Sequence, residues 1–191
     1  MNQKTSVVTP ERFDKGLTFE QYLASIKVNK DRFQENYEKF HIRPADASDL
    51  AVMARQPGGP AKFLVLGEDW CPDVIRGLPV AARMAEASGM ELRIFPRDEN
   101  LDIMNEFLNQ GKFQSIPTCV FYTKDLQYIA TWTERPALAN RERAEFEARF
   151  KGLPEQEMRA KVRELTQPRW PAWQHETVWE IIELLKKSRT K

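Results

Sequence analysis

Two cysteines and two histidines are all that this 191-residue chain holds of either type: Cys71, Cys119, His41 and His175. Four such side chains, far apart in sequence, exclude a zinc-finger spacing. Two cysteines also exclude a disulfide-stapled secreted scaffold. His175-Glu176 is no metalloprotease helix, because Trp179 stands where the second histidine is needed. Net charge is nearly absent: 29 Lys and Arg against 28 Asp and Glu leave +1, which argues against a basic nucleic-acid binder and an acidic tail. No apolar run, Phe63-Leu64-Val65-Leu66 included, approaches the ~20 residues that cross a bilayer. Met1 to Pro10 has no apolar leader core, and neither Asn2 nor the closing Ser188-Arg189-Thr190-Lys191 carries a lipidation pattern. The expectation is a soluble cytoplasmic protein with reduced thiols. No metal, no cofactor, and no membrane or nucleic-acid partner is expected for it.

What is present points to a folded chain. A hydrophobic share of 41% with 10% aromatics is too rich for disorder. The length suits about one domain with extensions, able to bury roughly 70% of its unfolded surface. Thr18 to Phe40 has apolar residues at helical spacing, opened by a Thr18/Gln21 capping box. A second helix runs over Ala47 to Arg55, and Gln56-Pro57-Gly58-Gly59-Pro60 breaks the chain without forming a phosphate loop. Lys62 to Leu66 then reads as a buried strand, a helix from Pro72 to Gly89 follows, and Glu91 to Pro96 reads as a second strand. Asn100 to Gln110 reads as a helix, and Thr118 to Thr123 with Tyr128 to Thr133 as a hairpin. Helices over Pro136 to Phe150, Glu155 to Leu165 and Gln174 to Lys187 complete the chain, with a break at Gln167-Pro168-Arg169-Trp170-Pro171. Trp170, Trp173 and Trp179 are expected to staple the last helix to the domain, and Arg141 to Arg149 to be a solvated face. This order is α/β logic. It divides the chain into an N-terminal helical extension (1–58), a central domain (59–135) and C-terminal helices (136–191) that pack on it.

Asp69-Trp70-Cys71-Pro72 falls where the first strand gives way to a helix. A cysteine there meets unpaired N–H groups and the positive end of the helix dipole, which favours thiolate. Pro72 suits the first helical position, and Pro79 lies inside the same helix. Ser115-Ile116-Pro117-Thr118 directly precedes a strand, a place where a cis X–Pro bond occurs. Strand, Trp-Cys-Pro, a proline eight residues after the cysteine, and Ser-Ile-Pro-Thr before a hairpin together resemble the thioredoxin family over about residues 60 to 135. Arg97-Asp98-Glu99-Asn100 adds to the likeness. The resemblance implies a thioredoxin-like α/β/α sandwich with added terminal helices. It also implies Cys71 as nucleophile, a cis Pro117 beside it, and a partner peptide meeting Trp70, Pro72, Asp73, Ile116 and Pro117.

Two departures limit what the resemblance implies. The fourth position of the family's C-x-x-C is Val74, so no resolving thiol follows Cys71, and Val65 stands where the family has a buried acid. Cys71 would therefore need an external thiol, from a protein or a small molecule, to leave a mixed disulfide. Asp73 opposes a thiolate at Cys71 by like charge, and Arg76 is a candidate to offset it. Cys119, two residues beyond Pro117 on a strand, is carried into the sheet and reads as an inert core residue. Three readings stay open here: a single-thiol exchange enzyme, a binding module using the groove around Cys71 and Pro117 without turnover, and a homodimer built on the terminal helices.

Overall fold

In the computed structural model, which describes residues 6–188, the apolar run at the centre of the sequence is an interior strand of the sheet. Met1 to Thr5 and Arg189 to Lys191, part of the ends read above for leader and lipidation signals, lie outside the described residues. β1 spans Lys62–Gly67, and its Phe63, Leu64, Val65 and Leu66 are all fully buried. Side chains alternate between faces along a strand, so burial of all four means that both faces of the sheet are covered. β2 (Glu91–Pro96) runs parallel to β1, while β3 (Thr118–Tyr122) and β4 (Tyr128–Thr133) form an antiparallel hairpin on its other side. The strand order is β2-β1-β3-β4. This is a four-stranded mixed sheet flanked by helices, as a thioredoxin-like fold requires.

The parallel pair is joined by the long crossover helix numbered α5 in chain order (Pro72–Ser88), closed by Gly89 at φ 77°. Four helices precede the sheet: α1 (Pro10–Asp14), α2 (Phe19–Ser25), α3 (Lys30–Lys39) and α4 (Pro44–Arg55). α3 and α4 lie against α5. Between α1 and α2, Leu17 exchanges two 2.8 Å backbone hydrogen bonds with Ile94, which occupies part of the outer edge of β2. α6 (Leu101–Met104) follows β2 through a 3-10 turn at Arg97–Glu99. α7 (Ala137–Arg149), α8 (Glu155–Thr166) and α9 (Trp170–Ser188) end the chain, and α9 rests on both α5 and β4.

Several elements differ from the sequence-based expectation. The helix expected over Thr18 to Phe40 is two helices. Asp69 captures the backbone N–H groups of Lys27 and Val28 at 2.9 and 3.2 Å, and Asn29 turns to φ 58°. The capping box is formed at the predicted place. α4 starts at Pro44, three residues earlier than expected, with the proline at its first position. The helix expected over Asn100 to Gln110 stops after Met104, and Asn109 instead bridges to Phe113. At the other end, the expected break before Gln174 is a single 3-10 turn, Gln167–Arg169, that runs into α9. Pro168 and Pro171 both sit at the starts of these elements, where a missing N–H costs little. α1 was not foreseen; Thr9 caps it through its side chain.

Candidate functional site around Cys71

The end of β1, the start of α5 and the loop before β3 converge on Cys71. Cys71 is the N-cap of α5; its N–H donates to the Glu68 carbonyl (3.2 Å) and its own carbonyl accepts from Ile75 (3.0 Å). The Sγ–H points to the Ile116 carbonyl at 3.7 Å. The Ile116–Pro117 peptide is cis. A Cβ built on Gly77 would come within 3.2 Å of the Pro117 ring, so the second turn of α5 needs its glycine for the loop to lie this close. Cys71, Ile116 and Pro117 are buried, while Pro72 is exposed and Trp70 is 52% exposed. The Arg97 guanidinium lies 5.3 Å from the Trp70 ring centre and donates to the Gln114 carbonyl at 3.3 Å, bracing the tryptophan against the loop that leads to Pro117.

Asp73, expected on the substrate side, points inward and is only 8% exposed. One carboxylate oxygen meets Arg76 at 2.6 Å and the other meets Arg135 at 3.0 Å. The Arg76 side chain is 2% exposed, its guanidinium 5.3 Å from the Trp173 ring centre, and its Nε and Nη2 have no hydrogen-bond partner. Arg135 stands just after β4, where it also pairs with Glu134 at 2.5 Å. Glu134 adopts φ 71°, and its N–H donates to the Pro117 carbonyl at 2.6 Å. The corner after β4 thus holds the Pro117 loop with one hydrogen bond and the first turn of α5 with one ion pair.

Burial pushes the Cys71 thiol above its ordinary value, and the Asp73 carboxylate adds to this. The backbone N–H groups of Val74 and Asp73 and the charge of Arg135 act the other way, but burial outweighs them. The helix N-terminus favours thiolate and Asp73 opposes it, both as expected; burial, which has no signal in sequence, sets the net direction. The Tyr22 phenol is buried with no hydrogen-bond partner, and burial, with the negative charges of Asp69, Glu68 and Cys71, raises its pKa. Cys119 lies opposite Val65 on β1 and Trp132 on β4; burial pushes its thiol to about 12. Both cysteines are free.

Three contributors to this geometry escaped the sequence reading: Asp69 as anchor of the α2–α3 turn, Glu134, and Arg135. The first had a weak signal, an acid ahead of Trp-Cys-Pro. The other two had none, since only the β3–β4 hairpin brings them back to the start of α5.

A family model described as Thioredoxin matches residues 16–147 of the chain. No curated protein matches it. Among solved structures, a protein of unknown function from Pseudomonas aeruginosa is similar, with a TM-score of 0.67 and 16% identity over 97% of this chain and 99% of that one. An HIV epitope-scaffold is similar to the same degree, with a TM-score of 0.67 and 16% identity over 96% and 99% of the two chains. At that identity the likeness concerns the fold alone, and it extends to the helices before and after the sheet.

Proposed function

The chain belongs to the thioredoxin family, and on that footing we propose that it exchanges thiols with partner disulfides through Cys71 as its single nucleophile. The observation that carries this reading is the placement of the Cys71 sulfur at the N-terminus of α5, 3.7 Å from the Ile116 carbonyl and beside Pro117. Trp70 and Pro72 supply the exposed side of the groove, Ile116 and Pro117 its floor. Asp73 does not reach a partner from its buried position.

The cycle balances without a cofactor. The Cys71 thiolate attacks one sulfur of a partner disulfide. That S–S bond breaks, a Cys71–partner disulfide forms, and the released partner thiolate takes a proton from water. An external protein or low-molecular-weight thiol then attacks the partner sulfur of the mixed disulfide: Cys71 leaves as thiolate and an external thiol–partner disulfide forms. A second external thiol group reduces that disulfide, so that two external thiols supply the two electrons and end as a disulfide. A reducing compartment such as the cytoplasm supplies such thiols. Because burial raises the Cys71 thiol, the first step accelerates as pH rises through neutrality.

The test is reaction of the reduced protein with an aromatic disulfide whose released thiolate is coloured. The native protein is expected to release one thiolate per chain, faster at higher pH, and Cys71→Ser to release none. Equal release from both would refute the proposal.

A second reading is favoured by two observations: the raised thiol and Val74 at the resolving position. In it, the groove holds an extended partner peptide without turnover. Partner capture that survives Cys71→Ser supports this reading, and loss of every partner on that change removes it.

A further inference from the structure

We propose that Arg135 is a positioning residue for Cys71: from the corner after β4 it neutralises Asp73 at the start of α5 and ties that helix end to the Pro117 loop. This rests on the reading of Cys71 as the reacting thiol. The Asp73 carboxylate sits in the first turn of α5, two residues from the cysteine. An acid there suits the positive end of the helix but repels a thiolate on the same terminus. Two arginines answer it, and they are not equivalent. Arg76 lies one turn along α5, so it moves with Asp73 whatever the rest of the site does. Arg135 comes from a different element, and its Glu134 neighbour holds the Pro117 carbonyl at 2.6 Å. Its ion pair with Asp73 forms only when the β4 corner, the Pro117 loop and the N-terminus of α5 are in register.

The charged and titratable groups around the thiol are few. Asp73 and Arg76 belong to its own helix, Arg135 and Glu134 to the corner, Glu68 and Asp69 to the preceding loop, and Tyr22 to α2. The Cys71 charge is coupled to two cations, Arg135 and Arg76, and to the anion Asp73. Opposite signs give opposite predictions, which separates an electrostatic role from simple loosening of the site.

The experiment is the pH dependence of Cys71 alkylation by iodoacetamide, from about pH 6 to about pH 11, read on the Cys71-containing peptide by mass spectrometry. The plateau rate reports exposure and the midpoint reports charge. Arg135→Gln is expected to move the midpoint up and to slow alkylation at neutral pH several-fold. Arg135→Lys, which keeps the charge, is expected to return the midpoint close to that of the native protein. Asp73→Asn is expected to move it down. A native midpoint in Arg135→Gln overturns the proposal. So does a shift of Arg135→Gln and Asp73→Asn in the same direction, or a Cys71 that stays unmodified across the whole range. Should Asp73→Asn fail to fold, the two Arg135 variants decide alone. Alkylation requires no exchange partner, so the coloured-disulfide assay and this one fail independently. Midpoints that move as expected with no thiolate release leave the electrostatic role standing and remove the exchange reading.

Discussion

Cys119 faces Val65 and Trp132 across the sheet, and its thiol is held neutral by burial up to about 12. The consequence for stability has a definite sign. A thiol whose pKa is higher folded than unfolded lends stability that is complete below the unfolded value. That stability is lost as pH rises from there toward the folded value. The window therefore opens near 9, the ordinary thiol value, and extends to about 12. Cys119→Val is expected to lessen the fall in unfolding free energy between pH 7 and pH 10 by about 1 kcal/mol, measured by urea denaturation at the two pH values. An unchanged fall would refute it. The Tyr22 and Tyr122 phenols, also raised by burial, contribute in the same direction and are untouched by this change. At this scale, sequence spacing separated the two cysteines correctly. Two residues beyond Pro117 on a strand is inside the sheet, while Cys71 at a strand-to-helix turn is at its end. The charge at Cys71 was not legible, because burial has no sequence period and Arg135 is distant in the chain.

The elements were legible where local chemistry decides them. The capping box of α2, the glycine closing α5 and the polar hairpin loop between β3 and β4 all act within a few residues of themselves. Elements were misread where a distant group intervenes. Asp69 takes the N–H groups of Lys27 and Val28, so a pattern periodic enough for one helix becomes two. Past Met104 the backbone tightens into short turns, the Glu106 N–H donating to the Ile103 carbonyl at 3.0 Å and the Phe107 N–H to the Met104 carbonyl at 3.1 Å, and α6 ends. The contact between β1 and α5 gives a prediction. A Cβ on Gly67 would lie 2.8 Å from Val74 Cγ1 and 3.3 Å from Cγ2, and Val74 is fully buried in the first turn of α5. Gly67→Ala is therefore expected to cost about 1–3 kcal/mol of overpacking. The cost would appear as a lower urea midpoint at an unchanged slope.

Across the whole molecule, the terminal helices are bonded to the sheet through buried side chains. The Trp132 indole N–H on β4 donates to Glu180 of α9 at 3.0 Å, and the same carboxylate accepts from the Ala137 N–H at the start of α7. Trp173, 1% exposed, lies under the Arg76 guanidinium of α5 and donates to Glu142 of α7 at 2.7 Å. Of the three tryptophans expected to staple α9, Trp173 does so, and so does Trp170, partly buried against the core with Arg32 of α3 over its ring, whereas Trp179 is half exposed. Trp173→Ala is expected to cost about 3–5 kcal/mol. Native and variant proteins are each expected to show coincident fluorescence and far-ultraviolet circular dichroism transitions, because the helices and the sheet share these contacts. An early separate helical transition in the native protein would contradict this.

The amino-acid sequence by itself determined the strand-helix-strand order, the reach of the central sheet, and the placing of Cys71 at the end of β1 with Pro117 ahead of β3. These follow from hydrophobic period, glycine and proline, all of which act along the chain. Only the tertiary structure decided that Asp73 turns inward between two arginines, that the corner after β4 holds the Pro117 loop, and that burial outweighs the helix dipole at the thiol. Those outcomes depend on which distant groups meet in a medium that excludes water. There an ion pair or an unpaired thiol is weighed by its surroundings, not by its neighbours in sequence.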